Sequence, residues 1–103
     1  MLEKRPQKRG TTVKVTFSVP VEWIPTPVSV VGDFNDWDPG VNPLRKRGGH
    51  WRTSVDFEAG RRYAFRYLDV DGRWHDEPAA DDIEVTEHGT ANCILDLTSP
   101  DET

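Results

Sequence analysis

Apolar and polar residues alternate with a period of two along much of this chain, the pattern of strands that bury one face. Between Thr12 and Val19, the residues Val13, Val15, Phe17 and Val19 fall on one side and Thr12, Lys14, Thr16 and Ser18 on the other. Trp51, Thr53, Val55 and Phe57 repeat the pattern against Arg52, Ser54 and Asp56. From Arg62 to Leu68, Tyr63, Phe65 and Tyr67 share one face while Ala64, Arg66 and Leu68 share the other. Val28 to Phe34 predicts a further strand and Asn92 to Leu97 a closing one, with shorter strands at Asn42 to Lys46, Arg73 to His75 and Ile83 to Thr86.

Turn residues punctuate these runs. Pro20, Pro25 and Pro27 bracket Trp23 and Ile24 in a segment barred from a central ladder. Asn35-Asp36-Trp37-Asp38-Pro39-Gly40, Gly48-Gly49, Glu58-Ala59-Gly60 and Asp71-Gly72 mark reversals. Residues 76–82 predict an acidic, extended connection. With eight Gly and eight Pro breaking every helical window, the chain is expected to be all-β. About seven short antiparallel strands at this spacing predict a two-sheet sandwich.

A length of 103 residues fits one domain, and a hydrophobic share of 35% makes its core thin. Chemistry on an open surface is therefore favoured over an enclosed cavity. No apolar run approaches the roughly 20 residues of a membrane span, and no apolar stretch follows the basic start as a secretory signal requires, so a cytoplasmic location is expected. Cys93 is the single cysteine, which excludes an intramolecular disulfide and a thiol-based metal site. The net charge of −5 is uneven, with residues 1–66 at +5 and residues 67–103 at −10. So acidic a second half argues against a nucleic-acid partner, whose phosphates need neutralising. Lys4, Arg5, Lys8 and Arg9 predict a solvated basic arm.

Few residues suggest catalysis. Asp33, Asp36 and Asp38 lie in a turn with no apolar pocket to raise one carboxyl, and His50, His75 and His88 are far apart and expected to be exposed. The runs Asp33 to Asp38 and Asp69 to Gly72 resemble calcium loops only faintly, since neither has Gly and a bidentate Glu at the required positions. No metal, cofactor or catalytic residue is expected. The compositional anomaly is four tryptophans. Trp51 shares a face with Val55 and Phe57 and is predicted to be core, while Trp23 is placed under an edge. Trp37 and Trp74 each follow a polar turn, where burial is hard to arrange. They can form an exposed platform for the apolar face of a sugar ring, with Arg66 and Asn92 supplying hydrogen bonds to hydroxyls, or they can cover the ends of a thin core. Spacing alone leaves both readings open.

Five ordered blocks carry a resemblance: Val28-Ser29-Val30-Val31-Gly32-Asp33-Phe34-Asn35-Asp36-Trp37-Asp38-Pro39, Gly49-His50-Trp51, Tyr63-Ala64-Phe65-Arg66-Tyr67-Leu68, Asp71-Gly72-Arg73-Trp74 and Gly89-Thr90-Ala91-Asn92. Over about residues 11–97 the chain resembles carbohydrate-binding module family 48, the early-set, immunoglobulin-like domain of isoamylases, branching enzymes and the AMP-activated protein kinase beta subunit. The resemblance implies an open site for α-1,4-linked glucans such as glycogen or starch, met as polysaccharide or malto-oligosaccharide, without catalysis in the domain. It implies stacking by Trp37 and Trp74 and hydrogen bonding by Arg66 and Asn92. His88 stands where the kinase subunit has an apolar residue touching the sugar, Arg66 replaces a common Lys, and the turn at Leu68 to Gly72 is one residue longer. The domain expected is residues 11–97, flanked by a basic flexible arm at 1–10 and a tail at 98–103. The alternative is a freestanding early-set module that docks on a glucan-metabolising enzyme or kinase.

Overall fold

A computed structural model describes residues 1–6 and 11–98. Among them nine strands form two antiparallel sheets and no helix occurs. The first sheet runs β1 (Leu2–Pro6), β2 (Thr12–Pro20), β5 (His50–Glu58), β4 (Arg45–Arg47). The second runs β3 (Val28–Gly32), β6 (Arg62–Asp69), β9 (Ala91–Asp96), β8 (Asp82–Val85), with β7 (Trp74–His75) also paired to β6. This is the expected all-β early-set sandwich.

The alternating faces meet between the sheets. Val13, Val15, Phe17 and Val19 of β2 and Phe57 of β5 pack toward Val28 and Val30 of β3, Tyr63, Phe65 and Tyr67 of β6, and Cys93 and Leu95 of β9. Phe17 is the hub, with ring centroids 5.4 Å from Phe65, 6.1 Å from Phe57 and 6.5 Å from Tyr67 in edge-on geometry. Such pairs add to burial because the positive ring edge meets a negative face. Trp51 packs against this core from β5, and its indole N–H donates to the Ile24 carbonyl at 2.6 Å.

Two differences from the sequence pattern concern the start of the chain and the acidic connection. Leu2 to Pro6, placed in the basic arm by its charge, pair with β2 in the register Leu2↔Phe17 to Pro6↔Val13. The β2 edge holds them by backbone hydrogen bonds, which charge patterning does not reveal, and Lys4 Nζ reaches Asp81 at 2.6 Å. Residues 7–10 of the arm and 99–103 of the tail lie outside the described residues. In the acidic connection, Glu77 is only 2% exposed. Its Oε1 accepts from the Tyr67 hydroxyl at 2.6 Å and from the Met1 amino group, and its Oε2 from the Ala79 N–H at 3.0 Å. A buried carboxylate is tolerated because these donors replace its water. Burial first, and then the Glu77 charge, push the Tyr67 phenol far above its ordinary value, so that it stays a donor.

Candidate functional site

The candidate residues gather on the outer face of the second sheet because directly paired residues of an antiparallel ladder point to the same side. Val31 of β3 pairs with Arg66 of β6, Leu68 of β6 with Trp74 of β7, and Asn92 of β9 with Glu84 of β8. The β6–β9 register is Ala64↔Ile94 and Phe65↔Cys93, so its next step sets Arg66 beside Asn92. Arg66, Trp74, Asn92 and Glu84 thus share the face opposite Phe65 and Tyr67. Val31, Ala64 and Ile94 are buried beneath that face, outside the central core.

Arg66 and Trp74 are in contact. The guanidinium carbon lies 5.2 Å from the Trp74 ring centroid, the geometry of a cation–π pair. Its Nε–H donates to Asp76 Oδ1 at 2.9 Å. One edge of the guanidinium is therefore held by Asp76 and one face by the indole, while no other hydrogen bond from it occurs among the described residues. Trp74 is 47% exposed, and among the described residues its N–H has no partner. This side chain remains a wide apolar surface with a free donor at its rim.

The hairpin that presents Trp74 is tied by Asp69. That buried carboxylate accepts from the backbone N–H of Asp71 at 2.9 Å and of Arg73 at 3.0 Å through Oδ1, while Oδ2 lies 2.9 Å from His75 Nε2. The His75 hydrogen bond, followed by the Arg73 N–H, holds the Asp69 carboxyl below its ordinary value. Gly72 takes φ 82° in the turn, a conformation open to glycine without cost. His75 is therefore half-buried and bonded rather than exposed, because the strand β7 turns its ring inward while Trp74 points out.

Trp37 sits in the loop after β3 and is half-buried. Asp36 and Trp37 both take φ 58°, and a left-handed backbone costs a bulky residue such as Trp about 1–3 kcal/mol. Asn35 pins this loop from inside. Its Oδ1 accepts the Gly32 N–H at 3.0 Å, and its Nδ2 donates to the Val30 carbonyl at 3.1 Å and to Asn42 Oδ1 at 2.8 Å. The Trp37 N–H then donates to the Gly32 carbonyl at 2.9 Å, and the Ser29 hydroxyl to the Pro39 carbonyl at 2.7 Å. Strain of this kind is retained where surrounding bonds fix it.

His88 is exposed in the turn between β8 and β9, whose Thr86 and Thr90 hydroxyls bond at 2.7 Å. The structure brings Arg66 and Trp74 together and sets Asn92 in line with them, whereas Trp37 lies on the connection from β3 to β4 of the other sheet and His88 on the β8–β9 turn. Asp76 and Glu84 are absent from the sequence expectations, and Asp69 enters them only through the faint calcium-loop likeness of Asp69 to Gly72. Asp76 stands two residues after Trp74, the offset that repeats a strand face, and that offset is the signal that could have found it. Burial raises the Cys93 thiol, which is consistent with a packing role. No cluster of three metal-ligating side chains occurs among the described residues, and no helix is long and apolar enough to cross a membrane.

Fold and geometry together define a β-sandwich with an open aromatic and polar surface on one sheet, the character of a binding domain. Residues 7–82 match the carbohydrate-binding module 48 family, the isoamylase N-terminal domain, and the chain belongs to that family. It is 41% identical over 68 residues to a 1,4-alpha-glucan branching enzyme of Xanthomonas campestris pv. campestris (strain 8004), covering 62% of this chain and 9% of the enzyme. A branching enzyme of Burkholderia cenocepacia (strain HI2424) is 41% identical over 73 residues, 66% of this chain and 10% of the enzyme. One from Rhizobium johnstonii is 46% identical over 55 residues, 48% of this chain and 8% of the enzyme. The chain thus matches about a tenth of the length of these relatives.

Proposed function

We propose that this chain is a non-catalytic module that binds α-1,4-linked glucan, in glycogen, starch or malto-oligosaccharides, through Trp37 and Trp74. The observation that carries the reading is the Arg66–Trp74 stack, an exposed indole braced by a cation whose remaining N–H groups point to no protein acceptor among the described residues. A glucose ring lays its C–H face on an indole, and its hydroxyls need donors and acceptors at the rim. Arg66 donates, Asn92 does both, and the exposed His88 of the β8–β9 turn is a further contact in this reading. Membership of a carbohydrate-binding family supports the same ligand class.

Titration with maltoheptaose, followed by tryptophan fluorescence, tests this. A saturable change in the native protein that is lost in Trp37→Ala and in Trp74→Ala, with both variants folded, is the expected result. Undiminished binding in both variants overturns the assignment.

A second reading, docking on a glucan-metabolising enzyme or kinase, has its own observation. Trp23 is 43% exposed and lines an open cleft of about 580 Å³ with Met1, Pro20, Pro78 and Ala79. Rather than packing under an edge, Trp23 stands edge-on to His75 at 6.4 Å. Exposed apolar surface of this kind suits a protein partner. Recovery of such an enzyme from amylase-treated lysate by the native chain, and its loss with Trp23→Ala, supports docking.

A further inference from the structure

The charges around the Trp74 platform bear on which glucans it accepts, an inference that rests on the glucan reading above. An arginine free in a sugar site is a phosphate receptor, because its planar fork matches two phosphate oxygens and its charge is permanent. Arg66 is not free in this sense. Asp76 Oδ1 accepts its Nε–H at 2.9 Å, which neutralises the cation within the site. Glu84 adds a second carboxylate on the same face, paired in register with Asn92, and it forms no ion pair among the described residues. The nearby cation of β6, Arg62, is engaged by Asp82 and Asp96, both at 2.8 Å, and offers no compensating charge. Arg66, Asp76 and Glu84 thus bring two carboxyl groups and a single guanidinium to this face.

Neutral hydroxyls lose nothing in this field. The terminal N–H groups of Arg66 still donate, and the second oxygen of Asp76, whose side chain is 56% exposed, accepts. A phosphate ester, carrying about −1.5 to −2 charges, meets two carboxylates and a cation already paired.

We propose that Asp76, with Glu84 in support, makes the Trp74 platform selective for uncharged glucan and excludes chains esterified with phosphate near the bound rings. Asp76 is thus a specificity-determining residue as well as the brace of Arg66.

The test compares maltoheptaose with a malto-oligosaccharide of similar length bearing one phosphate ester, titrated against the native protein, Asp76→Asn and Glu84→Gln at low and high salt. The native protein is expected to bind the phosphorylated sugar several-fold more weakly. Asp76→Asn keeps the side-chain shape and removes the charge, so the ratio of phosphorylated to neutral affinity should rise about fivefold at low salt and less at high salt. Glu84→Gln should move it the same way by a smaller factor. A purely structural role for Asp76 weakens both ligands alike and leaves the ratio unchanged, which overturns the proposal. Equal affinity of the native protein for both sugars overturns it too while leaving the glucan reading intact. Failure of the native protein to bind either sugar removes the glucan reading and this inference with it.

Discussion

Trp51 and Trp74 begin alike and end in opposite environments. Each stands two residues after a turn glycine of positive φ, Gly49 at 84° and Gly72 at 82°, and each is followed by a polar residue. Trp51 enters a nine-residue strand paired on both sides, opposite Val19 and Lys46, and its N–H is spent on Ile24. Trp74 enters a two-residue strand paired only with β6, opposite Leu68 on the outer face, and its N–H is left over. Local sequence is thus nearly the same, and the pairing partner decides which tryptophan is structural and which is available. An indole fixed by two neighbouring strands contributes to the core, whereas one at the end of a single ladder contributes surface.

The broadest way to break this contrast is to truncate both. Trp51→Ala should cost about 3 kcal/mol in urea unfolding, from lost packing and an orphaned carbonyl, whereas Trp74→Ala should cost less than about 0.5 kcal/mol. Similar losses for the two would dissolve the distinction. Trp37 is the intermediate case, because its placement depends on the loop rather than on a ladder. Asn35→Ala should therefore lower stability by about 2 kcal/mol and weaken maltoheptaose binding together, as the buried amide releases three hydrogen bonds. Binding that survives such a loss would show that Trp37 is held by other contacts.

A finer version removes only the indole N–H. Trp51→Phe should cost about 1–2 kcal/mol, and Trp74→Phe should leave unfolding unchanged. An unaffected midpoint for Trp51→Phe would mean that its N–H bond to Ile24 contributes nothing net. The smallest effect concerns the hairpin beneath Trp74. Because the Asp69 carboxyl is held below its ordinary value of 3.8, the stability it supplies is present above that pH and is lost as pH falls through the lower folded value. Asp82 and Asp96, also lowered, act in the same sense. Unfolding midpoints measured from pH 6 to pH 2.5 should fall below about pH 4 in the native protein, and less steeply in Asp69→Asn. Coincident curves would assign the acid sensitivity to other carboxylates.

The alternation of Val13 to Val19, of Trp51 to Phe57 and of Tyr63 to Tyr67 made β2, β5 and β6 legible, since a period of two needs no partner to be seen. Strand β1 was hidden because Glu3, Lys4 and Arg5 look like a solvated run until the β2 edge takes their backbone. Two-residue β7 was placed by its turn, not by its pattern. Arg66, Asn92, Trp37 and Trp74 were legible from spacing and resemblance together and His88 from resemblance alone, whereas Asp76 had only its two-residue offset from Trp74, which stands out among neighbouring acids once its partner Arg66 is known.

Residue order by itself determined the all-β class, the inward face of each long strand and the turns, because these depend on side-chain parity and on the φ preferences of Gly, Pro and Asn. Only the tertiary structure decided which acids are solvent-facing and which are structural. Glu77, buried under Tyr67, and Asp76, locked to Arg66, lie next to each other in the chain and differ only in the side of the strand path they face. Long-range pairing through space sets that difference, and pairing between β6 and its neighbours is not written in any local window.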